Sequence, residues 1–182
     1  MTEFEKMRSK QLYSFADEEC VKSNMNANAL CAKLQTMTLQ SPEYRQVIEA
    51  LIPGLPETSS VNPPFHCDHG NGIRIGHHTF LNYDCLMLDG ALISIGNHCK
   101  IGPRCQFFTP QHPIDWQERM QPVETCLPIT IGDNCWLGGG VTVLPGVTIG
   151  PRCIIAAGSV VVHDIPADSL AAGNPAVVKR KL

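Results

Sequence analysis

The sequence predicts a mainly β protein, a parallel β-helix carrying an N-terminal helical cap. Three observations predict it. Aliphatic side chains recur at every sixth position, at Ile131, Leu137, Val143, Ile149, Ile155 and Val161. Gly132, Gly138 and Gly150, with Ala156, directly follow four of them. Helical periodicity occupies the chain as far as Pro53 and then stops.

A repeat of this length marks a solenoid. One aliphatic per hexad points inward from a short strand, and three hexads make one turn of a triangular prism. Successive turns pair as parallel strands about 4.8 Å apart. A glycine after the aliphatic suits the tight corner that follows. Upstream, Ile75-Gly76 and Leu81 form one run, and Ile95-Gly96, Ile101-Gly102 and Phe107 form another. The two runs are out of phase by two residues, which places a small insertion between Leu86 and Ala91. Cys85, Cys99, Cys105, Cys135 and Cys153 each lie four residues after an inward aliphatic, where other hexads carry Thr79, Val141, Val147 or Ser159. The slot therefore selects small side chains, and a free cysteine behaves as a small hydrophobe there.

Twenty-four residues separate Phe107 from Ile131, where one hexad needs six. The surplus is polar and proline-rich, a loop protruding over residues 108–126. A long arrhythmic loop on a rigid solenoid is usually functional.

The cap is read as three helices. Thr2 and Glu5 form a capping box before a first helix that ends near Tyr13. Asp17 caps a second, with Val21, Met25, Leu30 and Leu34 as its apolar stripe. Ser41-Pro42-Glu43 reads as N-cap, first-turn proline and first-turn acid of a third. Val47, Ile48 and Leu51 face inward there, before Pro53 ends the helix. The expected division is a cap over 1–58 and a β-helix domain over 59–182, ending in a basic tail.

Composition narrows the function. The 182 residues are 43% hydrophobic and 6% aromatic, with a formal net charge of -3. That balance argues against nucleic acid as a partner. No stretch approaches a membrane span. Met1 to Lys10 is charged and lacks the apolar core of a leader, so a cytoplasmic location is expected. The nine cysteines are then reduced thiols. No CxxC pair is present, so no zinc site of that spacing is expected.

Longer motifs carry a family resemblance: PPFHCDHG (63–70), IRIGHHTFLNYDC (73–85), QHPID (111–115), PITIGDNCWLGGG (128–140), LPGVTIG (144–150), AAGSVVVHDIP (156–166) and AAGNPAVVKRKL (171–182). With the stretch around Tyr13 and Asp17, the chain resembles the hexapeptide-repeat acetyltransferases, in particular the maltose and galactoside O-acetyltransferase group. The resemblance covers nearly the whole chain. It implies a left-handed coil, a homotrimer with active sites between subunits, and transfer of acetyl from acetyl-CoA to a sugar hydroxyl. No metal is required. In the loop, Asp115, Arg119 and Glu124 match the maltose type.

Such a reaction needs a base for the hydroxyl proton, donors for the tetrahedral oxyanion, and both substrates held in line. The resemblance makes His112, in the His112-Pro113 pair, the general base. Imidazole suits a proton that is taken and given back. Glu124 or a backbone carbonyl would fix its tautomer. Asn82 would position the acceptor hydroxyl or the thioester, and Asp17 and Asp68 match acceptor-contacting positions. Gly90 stands where the galactoside type has an acid, so those sugar contacts differ here. For the coenzyme, Trp136 would pack on the acetyl-pantetheine end and the Gly139 N–H would reach the thioester oxygen. Ala157 and Val162-His163 would line the path of the coenzyme, and Arg180, in the Lys179-Arg180-Lys181 cluster, would meet its phosphates. A second family arginine falls on Val177.

Two rivals use the same fold. A zinc hydratase needs three converging histidines, and after His112 the next is His163. A non-catalytic scaffold would not need His112, Asn82 and the basic tail together. A non-sugar acceptor remains open within the acetyltransferases.

Overall fold

The computed structural model describes residues 1–182. Residues 60–173 wind into a parallel β-helix whose short strands stack into three parallel sheets. The first stacks strands at 60–61, 80–81, 100–101, 136–137, 154–155 and 169–173. The second stacks 65–67, 85–88, 106–108, 142–143 and 160–161, and the third 73–75, 93–95, 129–131 and 148–149.

Register follows the hexads. Ile131 pairs with Ile149, Leu137 with Ile155 and Val143 with Val161, each eighteen residues on. Leu81, Phe107, Leu137, Val143, Ile149, Ile155 and Val161 have no exposure at all. Burying each contributes about 1.5–3 kcal/mol, so the prism interior supplies most of the hydrophobic stabilisation.

The expected two-residue insertion is present and recurs. Val61 pairs with Leu81, Phe65 with Cys85 and Ile73 with Ile93, so the early turns are twenty residues long. The extra residues lie at the corner between the second and third sheets, over 68–72 and again over 88–92. In the next turn the long loop emerges at that same corner. The three corners can be named by what stacks there. Edge one stacks 62–64, 82–84, 102–104, 138–140 and 156–158. Edge two stacks 68–72, 88–92, 109–128, 144–146 and 162–164. Edge three stacks 76–78, 96–98, 132–134, 150–152 and 166–168.

The small-residue slot has a second property that its size alone did not reveal. Where it holds Cys, Thr or Ser, the side chain donates a hydrogen bond to a corner carbonyl, while Val141 and Val147 fill it by size alone. Cys99 Sγ reaches Gly132 O at 3.2 Å, Cys105 reaches Gly138 O at 3.2 Å, Cys135 reaches Gly150 O at 3.2 Å and Cys153 reaches Pro166 O at 3.1 Å. Thr79 Oγ1 and Ser159 Oγ do the same to Gly96 O and Ala156 O. A buried donor needs an acceptor, and the slot supplies one. All nine cysteines are free and buried.

The cap departs from the sequence reading in three places. Helix α1 spans Glu3–Arg8, with the Thr2–Glu5 capping box in place, and stops well before Tyr13. Lys10 takes a left-handed φ of 64°, which reverses the chain. Tyr13 then pairs antiparallel with Glu124. Helix α2, Glu18–Leu34, is capped by Asp17 but buries Cys20, Ala27, Cys31 and Leu34. Val21 and Met25 are exposed instead, because small residues on the other stripe let the helix lie close to the coil. Helix α3, Tyr44–Leu51, begins after Glu43 without a side-chain cap. Ser41 instead accepts the Thr38 N–H within the preceding turn. Val47, Ile48 and Leu51 are buried as expected.

Candidate active site

The long loop is ordered by pairing rather than by an apolar core. Strand Pro110–Gln111 pairs with Val123–Cys126, and the latter also pairs with Tyr13–Ser14 of the cap. Between them lies the short helix Trp116–Arg119, which Asp115 caps through Gln117 N–H at 2.8 Å. Arg119 Nη1 closes the tip on the Pro113 and Ile114 carbonyls.

His112 sits where the paired strands of this hairpin end and its tip begins, half-exposed. Its Nδ1 lies 3.5 Å from Val123 O and 3.8 Å from Glu124 Oε2. Both orienting groups foreseen for the imidazole are therefore on the same side of it. The Phe15 ring meets the imidazole edge-on at 6.0 Å between centroids. Glu124 is held in turn by the Tyr13 hydroxyl, which donates to Oε1. Burial, reinforced by the bond to Glu124, raises the Tyr13 phenol well above its ordinary range, so it stays a donor.

Beside this relay opens a cleft of about 270 Å³, lined by Tyr13, Phe15, Val21, Asn24, Asp68 and Glu124 among others. Asp68 and His69 come from edge two, and Cys20, Val21 and Asn24 from one side of α2. Asn24 Nδ2 donates to Asp68 O at 3.0 Å and ties the two walls together. Burial pushes the Asp68 carboxyl up to about 6, with Asp89 and Glu124 adding repulsion. Burial pushes the His69 imidazole down to about 4. His69 Nδ1 lies 3.0 Å from Ser23 Oγ.

Asp89, fully buried, organises the floor. Its oxygens accept from His69 N and Gly72 N at 2.8 and 2.9 Å. Arg8 donates to the Asp89 and Gly90 carbonyls and so fastens α1 to the coil. The glycine at 90 has a steric reason. A Cβ there would clash with Cys126 Sγ, so an acid at this position would need that cysteine to give way.

The remaining residues singled out from the sequence divide between edges. Asn82 is on edge one, its Oδ1 accepting Tyr83 N–H at 2.8 Å. Gly139 and Ala157 stack on the same edge, where Gly158 N–H donates to Gly139 O. The Gly139 N–H makes no hydrogen bond within the chain, and the nearest atom to a Cβ at 139 would be Pro103 O at 3.3 Å. Trp136, 56% exposed, lies within a row across the first sheet: it pairs with Lys100 on one side and Ile154 on the other, Ile154 with Leu170, and Leu170 with Arg180. Trp136 and Arg180 are thus three strand spacings apart, about 14 Å. Val162 and His163 are on edge two, on the side of His112. Asp17 caps α2 by accepting Glu19 N–H at 3.0 Å and does not line the cleft.

Within one chain, then, Glu124 and Asp68 join His112, while Asn82, Gly139 and Ala157 do not. A strand and its turns separate the two edges by roughly 20 Å, six residues at strand rise. Sequence reasoning missed Asn24, His69 and the Tyr13 hydroxyl as partners of the cleft. The spacing of Cys20 and Asn24, one helical turn apart, was the available signal.

A hexad-built prism, a histidine hairpin grown from one corner and a polar cleft under a helical cap define a class of transferase. The comparisons agree. The bacterial transferase hexapeptide family (six repeats) matches residues 128–163. A hexapeptide-repeat acetyltransferase from Vibrio cholerae, solved with acetyl coenzyme A, is 42% identical with a TM-score of 0.93, covering 100% of this chain and 99% of its own. A maltose O-acetyltransferase from Clostridium difficile is 39% identical with a TM-score of 0.96, covering 100% and 98%. A galactoside acetyltransferase in complex with coenzyme A is 30% identical with a TM-score of 0.93, covering 100% and 91%. The chain belongs to the hexapeptide-repeat acetyltransferases.

Proposed function

We propose that the chain transfers acetyl from acetyl-CoA to a hydroxyl of a sugar, of the maltose, glucose or galactoside kind, in a cytoplasmic homotrimer with its sites between subunits. The observation that carries this is the polar cleft opening beside His112. Its carboxylates, amide and phenol suit the hydroxyls of a small polyol. The sugar is also what the maltose and galactoside enzymes of the family are named for.

In this reading His112 accepts the hydroxyl proton as the sugar oxygen attacks the thioester carbonyl. The proton then passes to the departing coenzyme thiolate. Glu124 and Val123 O face Nδ1, which leaves Nε2 for the acceptor. Tyr13 keeps Glu124 in place. Asp68 accepts a hydrogen bond from the sugar, while Asp17 serves through the helix it caps. The free Gly139 N–H stabilises the oxyanion; one such donor is worth about 10²–10³ in turnover. Asn82 aligns the hydroxyl or the thioester. Trp136, Ala157, Val162 and His163 border the path of the coenzyme, and Arg180 meets its phosphates.

A second copy is what unites these groups. His112 on edge two and Asn82 with Gly139 on edge one lie too far apart for one chain to bring to one thioester. Two prisms packed edge to edge remove that distance, and cyclic closure makes every such interface alike.

An acceptor screen with thiol release as readout tests the activity. Turnover is expected with a neutral sugar and acetyl-CoA. His112→Ala is expected to lower kcat by about 10²–10⁴ without changing assembly. Turnover only with non-sugar acceptors, or none with any, would overturn the sugar reading; undiminished turnover in the variant would remove the base.

A further inference from the structure

We infer that Cys31 and Cys67 form a peroxide-sensitive dithiol that clamps one wall of the acceptor cleft. Cys31 lies on α2 of the cap and Cys67 on strand Phe65–Cys67 of the coil, with their sulfurs 3.9 Å apart. They differ from the thiols of the slot. Cys85, Cys99, Cys105, Cys135 and Cys153 all donate to backbone carbonyls. Cys31 and Cys67 have only each other as hydrogen-bond partners. A neighbouring thiol favours a thiolate on Cys31, as one does on Cys99 and Cys105, but the sulfurs of those other two pairs are also held by backbone carbonyls.

The pair bridges two elements that share the cleft. Asn24 sits two helical turns before Cys31 and holds Asp68 O, and Asp68 directly follows Cys67. Closing the sulfurs from 3.9 Å to the roughly 2.05 Å of a disulfide draws α2 and that strand together and shifts the wall that Asn24 and Asp68, already bonded to each other, form along the cleft.

Hydrogen peroxide, about the size of water, is the oxidant that fits so buried a pair. The Cys31 thiolate attacks one peroxide oxygen, the O–O bond breaks, and water leaves after protonation, giving a sulfenic acid. The Cys67 thiol then attacks the Cys31 sulfur. The S–S bond forms, the S–O bond breaks, and hydroxide leaves with the Cys67 proton as water. One peroxide is reduced to two waters as two thiols are oxidised to one disulfide.

The functional part rests on the acetyl-transfer reading; the chemical part does not. Wild-type protein is treated with hydrogen peroxide and mapped by non-reducing peptide mass spectrometry, then assayed before and after dithiothreitol. A Cys31–Cys67 cross-link is expected to form ahead of any other. The KM for the acceptor is expected to rise about tenfold, as for the loss of one sugar hydrogen bond at the displaced wall. The KM for acetyl-CoA should not change, dithiothreitol should reverse the effect, and Cys31→Ser and Cys67→Ser should abolish it. Cross-linking of another pair first, or Cys31 oxidised without Cys67, overturns the site. A Cys31–Cys67 link with unchanged acceptor KM overturns the clamp. Absence of acetyl transfer in the reduced protein would instead refute the proposed function and leave the mapping result standing.

Discussion

Asp68 and His69 are adjacent in the chain, and burial displaces them in opposite senses on the pH scale. The Asp68 carboxyl is pushed up to about 6 and the His69 imidazole down to about 4. Between pH 4 and 6 the folded chain therefore keeps a proton on Asp68 that the unfolded chain has lost. It also lacks one on His69 that the unfolded chain holds. Stability rises with pH wherever the unfolded state binds more protons. The His69 contribution thus grows as pH rises through this window, and the Asp68 contribution is lost. A displacement of about two on the pH scale is worth up to about 3 kcal/mol, so the two nearly cancel. Asp68→Asn removes one side. The charges acting on His69 are those of Asp89 and Arg8, so its own displacement survives the change. The variant's stability is expected to gain about 2–3 kcal/mol, relative to wild type, between pH 4 and 6.5. Urea midpoints across that range, at one protomer concentration because association shifts stability, give the comparison. Parallel profiles for variant and wild type would refute the reasoning.

Two more expectations follow from the site. Tyr13→Phe removes the donor on Glu124, a charge-assisted bond worth about 1.5–3 kcal/mol. It should lower kcat about tenfold with little change in the acetyl-CoA KM, which steady-state kinetics would resolve; a change confined to that KM would contradict the positioning role. Arg180→Ala, at the far end of the row from Trp136, should raise the acetyl-CoA KM more than it changes kcat. An unchanged coenzyme KM in initial-rate assays would remove Arg180 from the phosphate site.

The solenoid was legible because its rule is local. An inward position recurs in every hexad, and Ile131, Leu137 and Val143 announce it whatever surrounds them. The loop was legible as a break in that rule, and His112 stood out within it. The cleft was less so, because it depends on how the cap folds over edge two. Tyr13 reaches Glu124 only after the left-handed turn at Lys10, which no pattern in the first helix foretold. The α2 stripe was misassigned because Met25 and Val21 are larger than Cys20, Ala27 and Cys31. Close approach to the coil favoured the small residues over the more hydrophobic ones. Asn82 and His112 were both named, but only the stacked corners reveal that one prism keeps them apart.

That separation gives the most direct test. Asn82→Ala and His112→Ala protomers, each inactive alone, are unfolded together, refolded as mixed assemblies and assayed for thiol release. Each interface draws its two edges independently, so about a quarter of the sites should pair an intact His112 with an intact Asn82. Recovery of roughly a quarter of wild-type turnover is the predicted result. No recovery, in assemblies shown to be mixed, would contradict a site built across two chains.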